Sequence, residues 1–161
     1  MGSTSAAQAF KPVTLQVSEQ ITNEFKAKAK ESFPNEAFAY LLGHTDGEKI
    51  TIDSLFYPTD CDSHCTPHHV HVQSNWRREA QREAKRTNTE ILGDIHSHPY
   101  VYDDKKGSRL CDTSPSETDW DGVRDGEITG ICVVQQIKDK RLRARVKYWG
   151  PMAQVKLKQT K

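Results

Sequence analysis

The residues able to do chemistry gather in one stretch, 93–119, which reads GDIHSHPYVYDDKKGSRLCDTSPSETD. Leu92, Ile95 and the two histidines form a short, partly apolar run toward Pro99, where a strand would lose a ladder donor, so a strand is predicted to run out at Pro99. Side chains at i and i+2 of a strand share a face, which lets His96 and His98 converge while Ser97 points away. Farther on, Ser114-Pro115-Ser116-Glu117 reads as a helix start, with Ser114 as N-cap, Pro115 at the first helical position and Glu117 closing a capping box. Ser116 and Asp119 are then three apart on one helix face, free to point toward the histidines. Two imidazoles and one carboxylate with a fourth position open match a catalytic zinc site, one ion per chain, better than a closed structural one. The competing reading is a polar strand end beside an Asp placed for the helix dipole.

Several elements must position these groups. Val13, Leu15 and Val17 alternate with polar residues as a first strand, and Ser18 caps a helix carrying Ile21, Phe25, Ala29 and Phe33 toward Pro34. Residues 36 to 43, EAFAYLLG, are too apolar for a surface element and predict a buried strand with Glu36 at its mouth. A carboxylate there is either a solvated end residue or a functional acid. An Asp46-Gly47 turn leads to a strand over Lys49 to Tyr57, the antiparallel neighbour of the 36–43 strand. His68 to Val72 reads as a further strand, Ser74 as the cap of a helix from Asn75 to Arg86, and Ile128 to Gln135 and Leu142 to Trp149 as two more strands. Asp94 is set aside as a catalytic candidate, on the ground that the strand's tip and not its middle reaches the site.

The chain of 161 residues carries a formal charge of +1. Its length fits one domain with a real core, here 10–150, preceded by a disordered leader, 1–9, and followed by a basic tail, 151–161. No apolar run approaches a membrane span and MGSTSAAQAF has no signal-peptide pattern, so a cytoplasmic location is expected. Ala6 stands where a myristoylation site wants Ser or Thr. Four cysteines fit reduced thiols rather than a disulfide scaffold. From Lys138 to Lys161, nine basic residues face the single Asp139. Arg141, Arg143 and Arg145 alternate with Leu142, Ala144 and Val146 as the solvent face of an edge strand, and no aromatic platform suggests nucleic acid. Cys61, His64, Cys65, His68, His69 and His71 include enough soft and imidazole donors for a second metal; without a CxxC pair, the preferred reading is a histidine-lined rim.

Glu36 in EAFAYLLG, His96 and His98 in GDIHSHP, and Ser116 and Asp119 in PSETD together resemble the JAB/MPN domain and its JAMM-motif zinc isopeptidases. The likeness runs from about Val13 to Trp149. It implies an α/β fold, a single domain with a mixed, curved sheet flanked by helices. It also implies that His96, His98 and Asp119 bind zinc, that Glu36 is the general base and that Ser116 supports the transition state. The implied reaction is hydrolysis of a peptide or isopeptide bond in a protein substrate, such as a ubiquitin-like or sulfur-carrier-like conjugate. The segment 99–115 is longer than in compact members and reads as a polar surface loop, suited to a lid or a protein partner. A catalytically silent MPN assembly subunit is the alternative. A zinc deaminase is the weaker reading, because the HxE and PCxxC pair it needs is missing.

Overall fold

The layering follows from the strand Phe38–Asp46 (β2), whose side chains are buried alternately on two faces. Ala37, Ala39 and Leu41 pack on one side with Phe25 and Ala29 of the helix Glu19–Ser32 (α1). Phe38, Tyr40 and Leu42 pack on the other with Trp76, Ala80 and Ala84 of the helix Trp76–Arg86 (α2). A period of two in the apolar first part of this strand thus places one helix on each face of the sheet. The structure is a computed structural model, and it describes residues 14–103, 114–116, 119, 122–124, 126–150 and 158–160.

The remaining strands are Thr14–Gln16 (β1), Lys49–Phe56 (β3), Glu90–Tyr100 (β4), Ile128–Gln136 (β5), Leu142–Trp149 (β6) and Lys158–Thr160 (β7). They form one sheet in the order β6-β5-β4-β2-β3-β1-β7. β2 runs antiparallel to both β3 and β4, β4 runs parallel to β5, and β6 closes antiparallel on β5. The result is the expected single α/β domain with a mixed sheet flanked by helices. β2 slips register against β4 at Leu41/Leu42 and against β3 at Leu42/Gly43, irregularities that curve the sheet. Ser18 caps α1, its hydroxyl accepting from the Ile21 amide at 3.3 Å.

Three local expectations need correction. β4 continues through Pro99 to Tyr100. Ser97 donates its N–H toward the β2 side, to the Ala37 carbonyl at 3.0 Å. Pro99, two residues on, faces that same side where β2 has not yet begun, so its missing donor costs nothing. His68 to Val72 is not a strand; Val70 makes one isolated bridge to Cys65, while His68, His69, His71 and Val72 lie toward solvent. The cap of α2 is Asn75, not Ser74, and its side chain donates to Glu79 at 2.9 Å. Apart from these, residues 158 to 160, within the basic segment, form β7 parallel to β1. The leader 1–9, and most of the loop 99–115, lie outside the described residues.

Candidate metal centre

Residues opposite one another in the β2/β4 ladder build the floor of the site. Phe38 faces His96 and Tyr40 faces Asp94; continued past the start of β2, that register sets Glu36 opposite His98. All six share the α2 side of the sheet by parity; Phe38 and Tyr40 pack under α2, while Glu36, Asp94, His96 and His98 line the cleft beside it. β5 supports β4 from the other side, with Ile131 beside His96 and Val133 beside His98. Gly93 allows this approach, because a Cβ there would collide with the Ile128 carbonyl.

His96 Nε2 and His98 Nε2 lie 3.0 Å apart. Asp119 reaches both, Oδ1 at 3.1 Å from His96 and Oδ2 at 3.2 Å from His98. Bonds of about 2.0–2.1 Å to a tetrahedral zinc set neighbouring donors roughly 3.3 Å apart, so this triangle has the size such an ion requires. The ligand atoms of Glu36, His96 and His98 also fall within 4.8 Å of one another. Asp119 is the carboxylate in direct contact with both rings, and Glu36 stands one step behind.

Electrostatics follow from burial and pairing. Burial raises the Glu36 carboxyl to about 7; the two histidines oppose the shift and Asp119 adds to it. A carboxyl poised near neutrality can take up a proton and release it again. Burial would also raise Asp119, but hydrogen bonds from His96 and His98 outweigh it and hold Asp119 well below the usual carboxylate range. His96 is 8% exposed, and although burial works against its charge, Asp119 raises it above its ordinary value.

The backbone around Glu36 is pinned on both sides. Its amide donates to the Thr66 carbonyl at 2.9 Å, and the next amide, of Ala37, donates to Ser97 Oγ at 2.7 Å. The loop of cysteines and histidines therefore supports the acid from one side, and the residue between the two histidines supports it from the other.

Ser116, not Ser114, is the residue that caps the turn carrying Asp119. Its hydroxyl accepts from the Asp119 amide at 3.1 Å while Asp119 Oδ2 accepts from the Ser116 amide at 2.8 Å, a reciprocal capping box. The rest of the helix expected there lies outside the described residues. The capping bond uses Ser116 as an acceptor, leaving its O–H available to donate.

Cys61 and Cys65 turn inward to the cluster around Trp76. Cys65 Sγ donates to the Cys61 carbonyl at 3.1 Å and Cys61 Sγ to the Phe38 carbonyl at 3.7 Å, and the contact between the two thiols pushes Cys61 up and Cys65 down. His68 and His69 line the rim of a 590 Å³ cleft that also contains Glu36, His96, His98 and Ser116.

Asp94 belongs to that cleft as well, contrary to its dismissal from the sequence. The spacing itself carried the signal: a residue two before His96 shares its strand face. Thr129, its neighbour on β5, donates to Asp94 Oδ1 at 3.1 Å, and burial raises this carboxyl to about 6.

Comparison with known proteins agrees with this architecture. A family model described as prokaryotic homologs of the JAB domain matches residues 18–145. No curated protein matches the chain. Among solved structures, a Desulfitobacterium hafniense protein determined in solution is similar with a TM-score of 0.57 at 17% identity, over 91% of this chain and 94% of its own. A JAB1/MPN domain protein from Archaeoglobus fulgidus gives 0.51 at 18% identity, over 93% and 99%. A Salinibacter ruber protein gives 0.51 at 20% identity, over 86% and 81%. With the model match covering most of the chain, the protein belongs to the family of prokaryotic homologs of the JAB domain.

Proposed function

We propose that the chain is a JAMM-type zinc metallopeptidase that hydrolyses a peptide or isopeptide bond in a protein substrate, of the ubiquitin-like or sulfur-carrier-like conjugate class. The observation that carries the reading is the Glu36 carboxyl, raised to about 7, beside a triangle of two Nε2 atoms and one carboxylate with edges of 3.0 to 3.2 Å. His96, His98 and Asp119 would hold the zinc, a borderline ion suited to imidazole and carboxylate donors. When bound, the ion supplies Lewis acidity, which acidifies water and polarises a carbonyl.

The protein's own groups do the rest. Glu36 accepts the proton of the attacking water and returns it to the leaving amine, a double task open to a carboxyl that burial makes easier to protonate. The Ser116 hydroxyl donates to the oxyanion that develops on the scissile carbonyl. The Thr66 and Ser97 contacts hold the Glu36 backbone in place. The cleft is large enough to accept an extended tail. The loop 99–115 is assigned to substrate access or a partner, and the site of action to the cytoplasm; among the described residues no helix is long and apolar enough to cross a membrane.

The test is elemental analysis of the purified chain followed by a panel of isopeptide-linked and linear ubiquitin-like and sulfur-carrier substrates, read by intact mass. About one zinc per chain and cleavage of at least one substrate are expected. A zinc-loaded chain that cleaves none of them would favour the silent assembly subunit.

A further inference from the structure

We propose that Asp94 is the specificity residue of the cleft, accepting a cationic side chain, lysine or arginine, that flanks the scissile bond. The proposal rests on the hydrolase reading for the word specificity, while the cation site itself stands on geometry. Asp94 lies on the face of β4 that carries His96 and His98, and it lines the same cavity. Thr129 occupies one carboxylate oxygen, Oδ1, and Oδ2 has no hydrogen-bond partner among the described residues. No Lys or Arg of the described chain forms an ion pair with it. Arg77, the nearby cation of α2, is committed to Glu127.

Asp94 is partly buried beside the His96 imidazole, with one oxygen left to accept, so a cation brought by a ligand can pair with it at the cleft wall. Its position suits a substrate. Two residues of strand separate Asp94 from His96, about 6.6 Å at the usual rise. That is close to the reach of an extended lysine or arginine side chain from a backbone held at the histidines. Phe38 and Val70, which line the same cavity, offer apolar surface for the methylene stem. Neutral side chains of the same length would leave the carboxylate unpaired, so the site discriminates by charge.

Two measurements on the zinc-loaded full chain decide the matter. In the first, agmatine and n-butylamine are titrated calorimetrically into wild type and Asp94→Asn, with 1-pentanol as the neutral probe. Asparagine keeps an oxygen for Thr129 but loses the charge. Saturable binding of either cation that weakens about 10- to 100-fold in Asp94→Asn, with no binding of pentanol, is expected. Equal binding by the two proteins overturns the proposal. In the second, substrates that differ only in the residue on either side of the scissile bond (lysine, arginine, norleucine or citrulline) are compared by kcat/KM. The ratio of cationic to neutral substrate should fall about 10-fold or more in Asp94→Asn at unchanged zinc content. An unchanged ratio, or loss of zinc from the variant, overturns it, because Asp94 would then serve only the fold or His96. Should Asp94→Asn not fold, Asp94→Ser is read by the same criteria. If wild type cleaves nothing, the hydrolase reading fails, and the calorimetric arm still decides the cation site.

Discussion

Ser97, the residue between the two histidines, is tied twice to Ala37, the residue after Glu36. Its hydroxyl accepts from the Ala37 amide at 2.7 Å and its amide donates to the Ala37 carbonyl at 3.0 Å. Both groups are fully buried. Strand β4 therefore sets the position of the acid as well as that of the imidazoles.

Ser97→Ala leaves the Ala37 amide without its acceptor in a dry environment. Chemical denaturation should show a loss of about 1–3 kcal/mol. Hydrolysis should fall further than the zinc content, since the variant loosens Glu36 and not the ligands. A variant as stable as wild type would remove Ser97 from the frame of the site.

The two carboxylates are expected to separate by metal analysis. Asp119→Ala removes the group in contact with both Nε2 atoms and should leave far less than about one zinc per chain. Glu36→Gln should keep its zinc and melting temperature while the rate falls about 10²- to 10⁴-fold. If zinc survives Asp119→Ala and is lost in Glu36→Gln, the two residues exchange roles.

Removal of the metal exposes a pH signature of Glu36. Its carboxyl titrates near 7 in the folded protein against 4.5 for the ordinary group, so the folded state favours the protonated form. That contribution is complete below about pH 4.5 and is lost as pH rises through about 7. Metal-free wild type should therefore lose stability relative to metal-free Glu36→Gln between about pH 5 and about pH 8, on the order of 1–3 kcal/mol. Parallel stability curves for the two proteins would show that Glu36 is ordinary.

Gly93→Ala drives a methyl group into the Ile128 carbonyl and should cost about 1–3 kcal/mol or more in a melting experiment. Strand β4 would have to move away from β5, disturbing the floor on which both histidines stand.

Cys61→Ser combined with Cys65→Ser should leave the zinc content unchanged, because both sulfurs point into the Trp76 cluster. Loss of a whole equivalent would establish a second metal among the cysteines and histidines of that loop.

The sequence alone determined most of the elements and the residues gathered at the site. The unbroken apolar run in 38–42 marks a strand buried on both faces, the Ser18 cap starts α1 where expected, and HxH puts two imidazoles on one face. These are local consequences of periodicity and capping. Tertiary structure decided what depends on pairing between distant segments. The β2/β4 register brings Glu36 to the histidines, although 60 positions separate Ala37 from its partner Ser97. The fate of Pro99 depends on which side of β4 has a neighbour, and the cap at Ser116 rather than Ser114 depends on where the chain turns toward the rings. Burial by residues far away in sequence raises the Glu36 carboxyl to about 7. Such desolvation is set by the summed packing of both layers, a quantity that no local spacing of residues encodes.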